Sequence, residues 1–381
     1  MLDVYLLTLT LAVGIGVAAT GVLLAVSRTV RFAGLFRAAR GATEKPRWGG
    51  LVIFLAFAIT PFVASAISSE ADELFTPKSG EFLGFLGACA LVLLVGFWDD
   101  WRVATWKQKL LVQVAAASAV YAAGYTIDRV GLPWGPELEL GPMGPVVTVL
   151  WVVFFTNAIN LIDGRDGVAA GVAILAAVTL AQVASHAEHP TVALLLVAMA
   201  GGSLGFLPFN LPRASAYLGD SGALLLGFIL GSLSIRGSTG VTDAVFIAVP
   251  VVALGFPILD TALAAVRRVL DRRHPLLGDL DHIHHRLEEE MALGPRGILV
   301  VLYGISVLFS GAAIILHYAR HVAAEAVVFV ALVALVAVIL ARLGYLVSLW
   351  NSYSLAWLRR RLAPSASPAS VAPPRRGEGG E

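Results

Sequence analysis

Long apolar runs separated by short polar segments dominate the chain. A membrane-spanning helix needs about 20 predominantly apolar residues. The pattern therefore predicts an all-α polytopic integral membrane protein with about 10–11 transmembrane helices. Short interfacial helices are expected around residues 267–270 and 285–290. The predicted spans are 4–26, 49–67, 81–98, 109–126, 144–160, 168–186, 190–208, 221–235, 243–263, 297–317 and 323–349.

The two ends of the chain differ in character. The first apolar run has no basic residue before it and is too long for the apolar part of a signal peptide, so we interpret it as a retained membrane helix. From about residue 364 the chain is rich in Pro, Ala, Ser and Gly, which is typical of disorder. We expect a transmembrane catalytic domain over residues 1–350 and a cytoplasmic, largely disordered tail over 351–381.

Basic residues collect on one side of the predicted topology. The loops at 27–48, 99–108, 161–167, 209–220 and 264–296, with their helix junctions and the C-terminal tail, carry 22 of the 27 Lys and Arg. The loops on the opposite side carry four. Because cytoplasmic loops carry an excess of Lys and Arg, we assign the first set to the cytoplasm.

Composition supports the membrane interpretation. Of the 381 residues, 58% are hydrophobic and 14% are charged, whereas an ordinary soluble domain has about 25% charged residues. These values exclude a soluble globular domain, a disordered protein, a collagen and a coiled coil. The net charge of +1 suggests no nucleic-acid partner. The single cysteine, Cys89, cannot form an internal disulfide or a thiolate zinc site.

Two polar clusters adjoin apolar helices on the side assigned to the cytoplasm. Asp99 and Asp100 end the third run, either as an interfacial stop flanked by Trp or as a carboxylate pair for metal or general-base chemistry. Residues 157–171 contain two amides, two acids and three glycines, which suit either a turn or a site where the backbone approaches a ligand. These polar residues are Asn157, Asn160, Asp163 and Asp166.

Two further clusters lie on the same side. Asp220 precedes the eighth run, as either a helix N-cap or a functional acid. His282, His284 and His285 fall within four residues of an Arg-rich loop. That loop suits phosphate binding, with zinc binding or a plain solvated basic loop as alternatives.

Together the four clusters suit phosphoryl transfer at a membrane surface. Acids that hold Mg²⁺ beside cations that bind phosphate are what this chemistry requires. The position at the lipid interface suggests one lipid phosphate substrate and one cytosolic substrate. A transporter and a non-catalytic membrane scaffold are the alternatives. A transporter would place ionisable residues near helix centres, whereas here they lie mainly at helix ends.

Six segments, in order, resemble the polyprenyl-phosphate N-acetylhexosamine-1-phosphate transferase family, a glycosyltransferase family 4 group related to phospho-MurNAc-pentapeptide translocase. The resemblance runs from about residue 46 to 287. The form His-Ile-His-His-Arg at 282–286 is closer to the GlcNAc-phosphate branch than to the translocase branch. The segments are Lys-Pro-Arg-Trp-Gly-Gly at 45–50, Asp-Asp at 99–100, the amide- and acid-rich segment at 157–171, Gly-Asp-Ser-Gly at 219–222, Pro-Ile-Leu-Asp-Thr at 257–261 with Arg-Arg at 267–268, and Asp-His-Ile-His-His-Arg-Leu at 281–287.

One position departs from the family pattern. The family usually has an apolar residue where this chain has Arg165, between two acids. We expect Arg165 either to pair with Asp163 or Asp166 or to contact the nucleotide.

The resemblance implies a reaction. A sugar 1-phosphate, foremost GlcNAc 1-phosphate, would pass from a UDP-N-acetylhexosamine to undecaprenyl or decaprenyl phosphate with release of UMP, as the first membrane step of a cell-envelope polysaccharide. Another UDP-amino sugar or UDP-MurNAc-pentapeptide is the alternative donor. The resemblance also implies dependence on Mg²⁺, with Mn²⁺ as an alternative, and the bacterial inner membrane with the active site facing the cytoplasm. A homodimer is a candidate assembly.

The resemblance further implies roles for individual residues. Direct attack by the lipid phosphate and a covalent aspartyl-phosphate route both remain open. Asp99 would receive a proton, orient the lipid phosphate, or act only electrostatically. The implied Mg²⁺ ligands are Asp220 and Asn160, the implied catalytic residues are Asp99, Asp100, Asp163, Asp166, His284 and His285, and the implied substrate-binding residues are Asn157, Asn210, Tyr217, His282, Arg286 and Arg165.

Overall fold

The computed structural model describes residues 1–29, 45–131, 138–237, 245–270, 282–319 and 321–345. Helices make up nearly all of this part of the chain, as expected where the backbone must satisfy its own hydrogen bonds in lipid. The helices are α1 (Leu2–Thr29), α2 (Gly49–Ile67), α3 (Ser69–Phe75), α4 (Ser79–Arg102), α5 (Trp106–Ala122), α6 (Gly144–Ile162), α7 (Val168–His186), α8 (Pro190–Asn210), α9 (Gly219–Gly237), α10 (Val245–Ala253), α11 (Gly255–Leu270), α12 (Ile283–Met291), α13 (Pro295–Tyr318) and α14 (Val322–Arg342).

The all-α polytopic class is confirmed. Within the described residues, eight helices are long and apolar enough to cross a membrane, or nine if one bent pair counts as a span. The predicted span at 243–263 is that bent pair, α10 and α11, which meet at 80°. The predicted spans at 109–126 and 221–235 correspond to α5 and α9. These two helices are not among those long and apolar enough to cross a membrane. The count is therefore lower than the eleven runs predicted.

Helix α9 lies in the middle of the bundle, which explains why it is less apolar than a lipid-facing span. Residues 221–235 are buried throughout. Glycines allow the neighbouring helices to approach closely. A Cβ on Gly96 of α4 would lie 2.3 Å from the Cα of Ser221, and one on Gly227 would lie 2.6 Å from the carbonyl oxygen of Phe155 in α6. The first turn of α9 is thus held against the end of α4.

Two smaller features complete the described chain. Strands β1 (Arg129–Val130) and β2 (Leu138–Glu139) form a short antiparallel hairpin between α5 and α6. The expected interfacial helix near 285–290 is α12, whereas residues 267–270 are the last turn of α11. The predicted tail at 351–381, and Asp281 within the sixth matched segment, lie outside the described residues.

Candidate active site

A lysine joins two of the predicted acids. The Nζ of Lys109 lies 2.9 Å from Asp99 Oδ2 and 2.9 Å from Asp220 Oδ2. The other oxygen of Asp99 accepts a 2.7 Å hydrogen bond from the backbone N–H of Ala104. Asp99 is 1% exposed. A buried carboxylate with a cation and an amide donor at its two oxygens is fixed in orientation.

Asp100 caps a helix to which it does not belong. Its two carboxylate oxygens accept from the backbone N–H groups of Asp220 and Ser221, at 3.1 and 3.2 Å. Gly219 has φ +74°, and a Cβ there would lie 2.6 Å from Asp100 Oδ2. Arg47 also pairs with Asp100, at 3.6 Å. Because Asp100 satisfies the first N–H groups of α9, the side chain of Asp220 is directed to Lys109 instead of serving as the cap.

The loop between α6 and α7 carries Asp163 and Asp166. Desolvation raises the pKa of the Asp163 carboxyl well above its usual range, and the negative charges of Asp220 and Asp100 raise it further. Asp166 accepts from the backbone N–H of Ala214 at 3.3 Å, which ties this loop to the α8–α9 connection. Asp163 therefore belongs to the acid cluster, and Asp166 joins two loops.

Asn210 makes a second tie between the same two loops. Its Oδ1 accepts from the N–H of Gly167 at 3.1 Å and its Nδ2 donates to the carbonyl of Ala216 at 3.1 Å. Gly167 has φ +81°, and its carbonyl accepts from the hydroxyl of Tyr303 at 2.6 Å. Asn210 is buried. Its amide thus shapes the loops, and its predicted contact with uridine stays a prediction.

The two amides of α6 have different surroundings. Asn157 donates to Gln113 Oε1 at 2.7 Å and to the carbonyl of Val153 at 2.8 Å, which links α6 to α5. Asn160 is partly exposed, one helical turn nearer the acid cluster. Of the two, Asn160 has the side chain better placed for a ligand.

Tyr217 lies beside the segment that precedes α2. Its backbone N–H donates to Pro46 at 2.9 Å and its carbonyl accepts from Gly49 at 3.1 Å. The Nζ of Lys45 lies 5.6 Å from the centre of the Tyr217 ring. The first matched segment is therefore adjacent to Tyr217, and the ring is only half-buried.

Asp260 fixes the start of the histidine helix α12. Its Oδ2 lies 2.6 Å from Nδ1 of His282, and its Oδ1 accepts from the N–H of Ile283 at 2.8 Å. The rings of His282 and His284 are parallel, with centres 5.8 Å apart, and His285 lies 4.3 Å from His284. The Asp260 carboxylate thus fixes His282, on which His284 stacks, while the ring of His285 is tilted by 42° against that of His284.

His284 packs on the α6–α7 loop. A Cβ on Gly164 would lie 2.6 Å from its Nε2. Among the described residues that Nε2 has no hydrogen-bond partner. Burial, and after it the charge of His285, lower the pKa of His284 to about 4. His284 is therefore neutral at physiological pH.

Two of the predicted arginines, Arg165 and Arg286, contact other parts of the described chain, and the predicted substrate contact of Arg286 stays a prediction. Arg165 pairs with Glu288 of α12, so the expected pairing with Asp163 or Asp166 is wrong. The loop folds so that Arg165 faces α12, away from the two acids beside it in sequence. Arg286 donates to the carbonyl of Leu343 at 3.1 Å and lies 4.2 Å from the Tyr345 ring centre. Arg286 thus attaches α12 to the end of α14.

Two depressions adjoin these groups. A cavity of about 690 Å³ lies beside the α6–α7 loop and is lined by Arg165, Asp166, Arg213 and Arg296 with Gly, Pro and Ile residues. Its size is that of a small-molecule site. An apolar groove of about 530 Å³ lies between α1, α2 and α4 and is lined by Leu23, Val26, Trp48, Leu51, Leu94, Phe97, Trp98 and Trp101. The groove lies at the same end of α4 as the acid pair, with Trp98 and Trp101 on its wall and Asp99 and Asp100 buried in the same helical turn.

The donor set fits Mg²⁺. Asp163 and Asp220 are carboxylates in a cluster where negative charge accumulates, and Mg²⁺ prefers oxygen ligands. Within the described ranges, no three His, Cys, Asp or Glu are grouped as a metal site. Mg²⁺ commonly takes only one or two protein carboxylates and completes its shell with waters and substrate phosphates. These residues therefore suit Mg²⁺ better than zinc.

Sequence reasoning missed Lys109 as a site residue. Its position along the chain could have indicated a role. Thr105 and Gln108 form a capping box that starts α5, so Lys109 lies in the first turn of that helix. A cation there opposes the helix dipole and needs a compensating acid. Gln113 and Asp260 were also absent from the predicted site, since their partners lie 44 and 22 residues away.

Comparison with known proteins places the chain beside membrane phosphosugar transferases. A sequence profile described as "Glycosyl transferase family 4" matches residues 82–238. The chain is 35% identical over 275 residues to a probable undecaprenyl-phosphate N-acetylglucosaminyl 1-phosphate transferase of Bacillus subtilis, which covers 72% of this chain and 74% of that protein. It is 30% identical over 290 residues to a decaprenyl-phosphate N-acetylglucosaminephosphotransferase of Mycolicibacterium smegmatis, covering 70% and 71%.

A third relative represents the alternative donor. The chain is 33% identical over 202 residues to a phospho-N-acetylmuramoyl-pentapeptide-transferase of Listeria monocytogenes, covering 50% of this chain and 60% of that protein. This match is shorter than the two to N-acetylglucosamine phosphate transferases. The comparison therefore favours the N-acetylglucosamine branch.

Proposed function

Because the chain belongs to glycosyl transferase family 4, we propose that it transfers GlcNAc 1-phosphate from UDP-GlcNAc to a polyprenyl phosphate and releases UMP. The observation that carries this proposal is the match, over more than two thirds of both chains, to relatives named for that transfer. The pentapeptide donor is the second candidate, since one relative is named for it. The predicted homodimer remains a proposal.

The proposed chemistry exchanges one phosphoanhydride for another. An oxygen of the lipid phosphate forms a bond to the sugar-bearing β-phosphorus. The bond from that phosphorus to the bridging oxygen breaks, and UMP leaves with the electron pair. Since the bonds made and broken are alike, catalysis consists mainly of positioning and neutralising phosphate charge.

Lys109 is suited to neutralise phosphate charge, and its hydrogen bond to Asp99 fixes the position of its ammonium group. Both oxygens of Asp99 already accept, one from Lys109 and one from Ala104. The lipid phosphate is largely ionised near pH 7, so little general-base help is needed. The contacts of Asp99 therefore favour its orienting role over proton transfer. Asp100 holds the start of α9, and with it Asp220, in place.

Asp220 and Asn160 would hold Mg²⁺, with Asp163 beside them. Bound Mg²⁺ would neutralise the phosphate oxygens of the donor. Burial and then the charges of Asp220 and Asp100 raise the pKa of Asp163, and the positive charge of Mg²⁺ would favour its ionised form. On the donor side, His284 contacts the loop that carries Asp163, and His282, His284 and His285 are assigned to the diphosphate and sugar. Tyr217, Asn210 and the arginine-lined cavity are assigned to the nucleotide.

The polyprenyl chain is assigned to the apolar groove between α1, α2 and α4. Trp98 and Trp101 line it and are 51% and 41% exposed. Asp99 and Asp100 lie between these two residues in sequence, and Arg47, which pairs with Asp100, adjoins Trp48 of the groove. A lipid lying in this groove would present its phosphate to the acid cluster.

The test is a transfer assay with purified protein. Detergent-solubilised enzyme is given Mg²⁺, undecaprenyl phosphate and UDP-GlcNAc, and UMP is measured, with Asp220→Asn as the comparison. UMP that requires both the lipid and Mg²⁺, and that is lost in the variant, would support the proposal. Release of UMP only with UDP-MurNAc-pentapeptide would support the second candidate. Folded protein that releases UMP from no UDP-sugar would exclude both.

The proposal includes a bacterial inner membrane location with the acid cluster facing the cytoplasm. The chain is a multi-pass membrane protein by its apolar helices. The excess of Lys and Arg near the acid cluster supports the cytoplasmic orientation. UDP-sugars are cytosolic, which is consistent with that orientation.

A further inference from the structure

Helix α12 touches the α6–α7 loop at two points. His284 rests on Gly164, where even a Cβ would collide with the imidazole. Glu288, four residues later, forms a two-pronged ion pair with Arg165. Residues four apart lie on one face of a helix. The same face of α12 is therefore held by two consecutive loop residues.

The remaining attachments of α12 lie elsewhere. Asp260 of α11 holds its first residues, and Arg286 attaches it to the end of α14. Neither contact joins α12 to the loop that carries Asp163. Helix α12 also packs on α13. Within the described residues, the Arg165–Glu288 pair is a charged link between the histidine helix and the loop of the acid cluster.

We propose that the Arg165–Glu288 pair is a strap that positions His284 and His285 for the donor of the transfer reaction. This inference rests on the proposed function. Glu288 is a positioning residue, since it acts through the placement of α12 and of Arg165, which also lines the cavity assigned to the nucleotide.

The exposure of the two side chains sets the expected size of the change in donor binding. The side chains of Arg165 and Glu288 are 26% and 47% exposed. A partly exposed ion pair changes an equilibrium by up to about fivefold. The strap should therefore alter donor binding several-fold and leave the fold intact.

Glu288→Gln tests the strap, and Glu289→Gln is the matched control. The control removes the same charge from the next residue of α12, which is exposed. We expect Glu288→Gln to raise KM for UDP-GlcNAc by about three- to fivefold, with KM for undecaprenyl phosphate and kcat within about twofold. Glu289→Gln should match wild type. If Glu288 only stabilised the fold, Glu288→Gln would change the KM values for the two substrates alike.

Charge reversal gives a second, independent measurement. Arg165→Glu and Glu288→Arg should each impair donor binding, and the double variant should recover most of it. Equal KM values for Glu288→Gln and Glu289→Gln would overturn the proposal. So would a double reversal as impaired as the product of its single variants.

Hydrogen exchange separates this inference from the proposed function. Backbone amides of α12 should exchange faster in Glu288→Gln than in Glu289→Gln, whereas those of α7 should not change. This readout needs no substrate. If the wild type releases no UMP, the proposed function fails and exchange still decides whether the strap exists. If the wild type is active but exchange and KM are unchanged, only the strap is overturned.

Discussion

Gly164 and His284 are packed so closely that a Cβ on the glycine would lie 2.6 Å from both Cε1 and Nε2 of the imidazole. Real Cβ atoms do not approach other atoms this closely, so a larger residue must displace the His284 ring, α12 or the loop. The contact explains why this position holds glycine.

Gly164→Ala should therefore reduce activity. A displacement of about 1 Å at a catalytic group can cost on the order of 100-fold in rate, so we expect a loss of kcat/KM between tenfold and 100-fold, read from UMP release. Gly304→Ala is the control, because a Cβ at Gly304 of α13 meets nothing within 4 Å. Equal activity of the two variants would contradict the packing argument.

Lys109→Met should abolish most turnover. The substitution leaves Asp99 and Asp220 without their shared cation, and the loss of one preorganised charge typically costs about 10²- to 10³-fold in kcat. Lys107→Met is the matched control, since Lys107 lies in the same turn and its Nζ is 5.6 Å from the Trp106 ring centre. Turnover of Lys109→Met close to that of Lys107→Met would remove Lys109 from the site.

His284 should make the protein less stable in mild acid. Its pKa is about 4 in the folded protein because the ring is desolvated, against about 6.5 in the unfolded chain. Between these values only the unfolded chain binds the proton, so the free energy of unfolding falls as pH drops from 6.5 to 4. The fall is on the order of 3 kcal/mol.

The measurement is thermal unfolding of the detergent-solubilised protein at pH 7 and pH 4.5. Wild type should lose more thermal stability between these pH values than His284→Gln, which has no titrating ring. The same loss in both proteins would show that His284 does not carry the effect.

Trp98→Ala should weaken use of the lipid acceptor. Loss of about 100 Å² of apolar contact is worth roughly 2.5 kcal/mol at most, and partial exposure of Trp98 reduces this, so KM for undecaprenyl phosphate should rise about tenfold. KM for UDP-GlcNAc should stay constant. Val300→Ala, at an exposed apolar position on α13 (72% exposed), is the comparison. A rise in both KM values would place the lipid elsewhere.

Orientation can be tested with single cysteines. The only native thiol, Cys89, is buried, so it gives little background with an impermeant maleimide. Lys78, the site of one cysteine substitution, lies immediately before α4, and Asp99 lies near the opposite end of that helix. In intact cells Lys78→Cys should be labelled, whereas Arg213→Cys should be labelled only after permeabilisation. The reverse pattern would invert the proposed topology.

Local sequence predicted the helices well and the site composition in part. Each of the eleven predicted apolar runs overlaps a helix within the described residues, and the run at 243–263 overlaps two. Such runs are predictable because apolar composition is a property of one segment. The acids, amides and histidines at helix ends were also recognisable. Asp99, Asp100, Asp163 and Asp220 do meet, since alternate loops of a polytopic chain lie on one side of the membrane.

The partners of those residues were not predictable from spacing. Lys109 meets Asp220 across 111 residues and Arg165 meets Glu288 across 123. The acids next to Arg165 in sequence were the natural candidates, yet the loop turns its side chain to α12. Asp100 likewise caps α9 in place of Asp220.

The sequence by itself determined that the chain crosses the membrane repeatedly and that its acids and histidines gather at one end of the helices. Both follow from how each segment of about 20 residues partitions between lipid and water. Only the tertiary structure decided which cation joins which acids, which helix lies at the centre, and which loop holds the histidines. Those choices depend on how the helices pack, and packing brings together residues whose separation along the chain carries no signal.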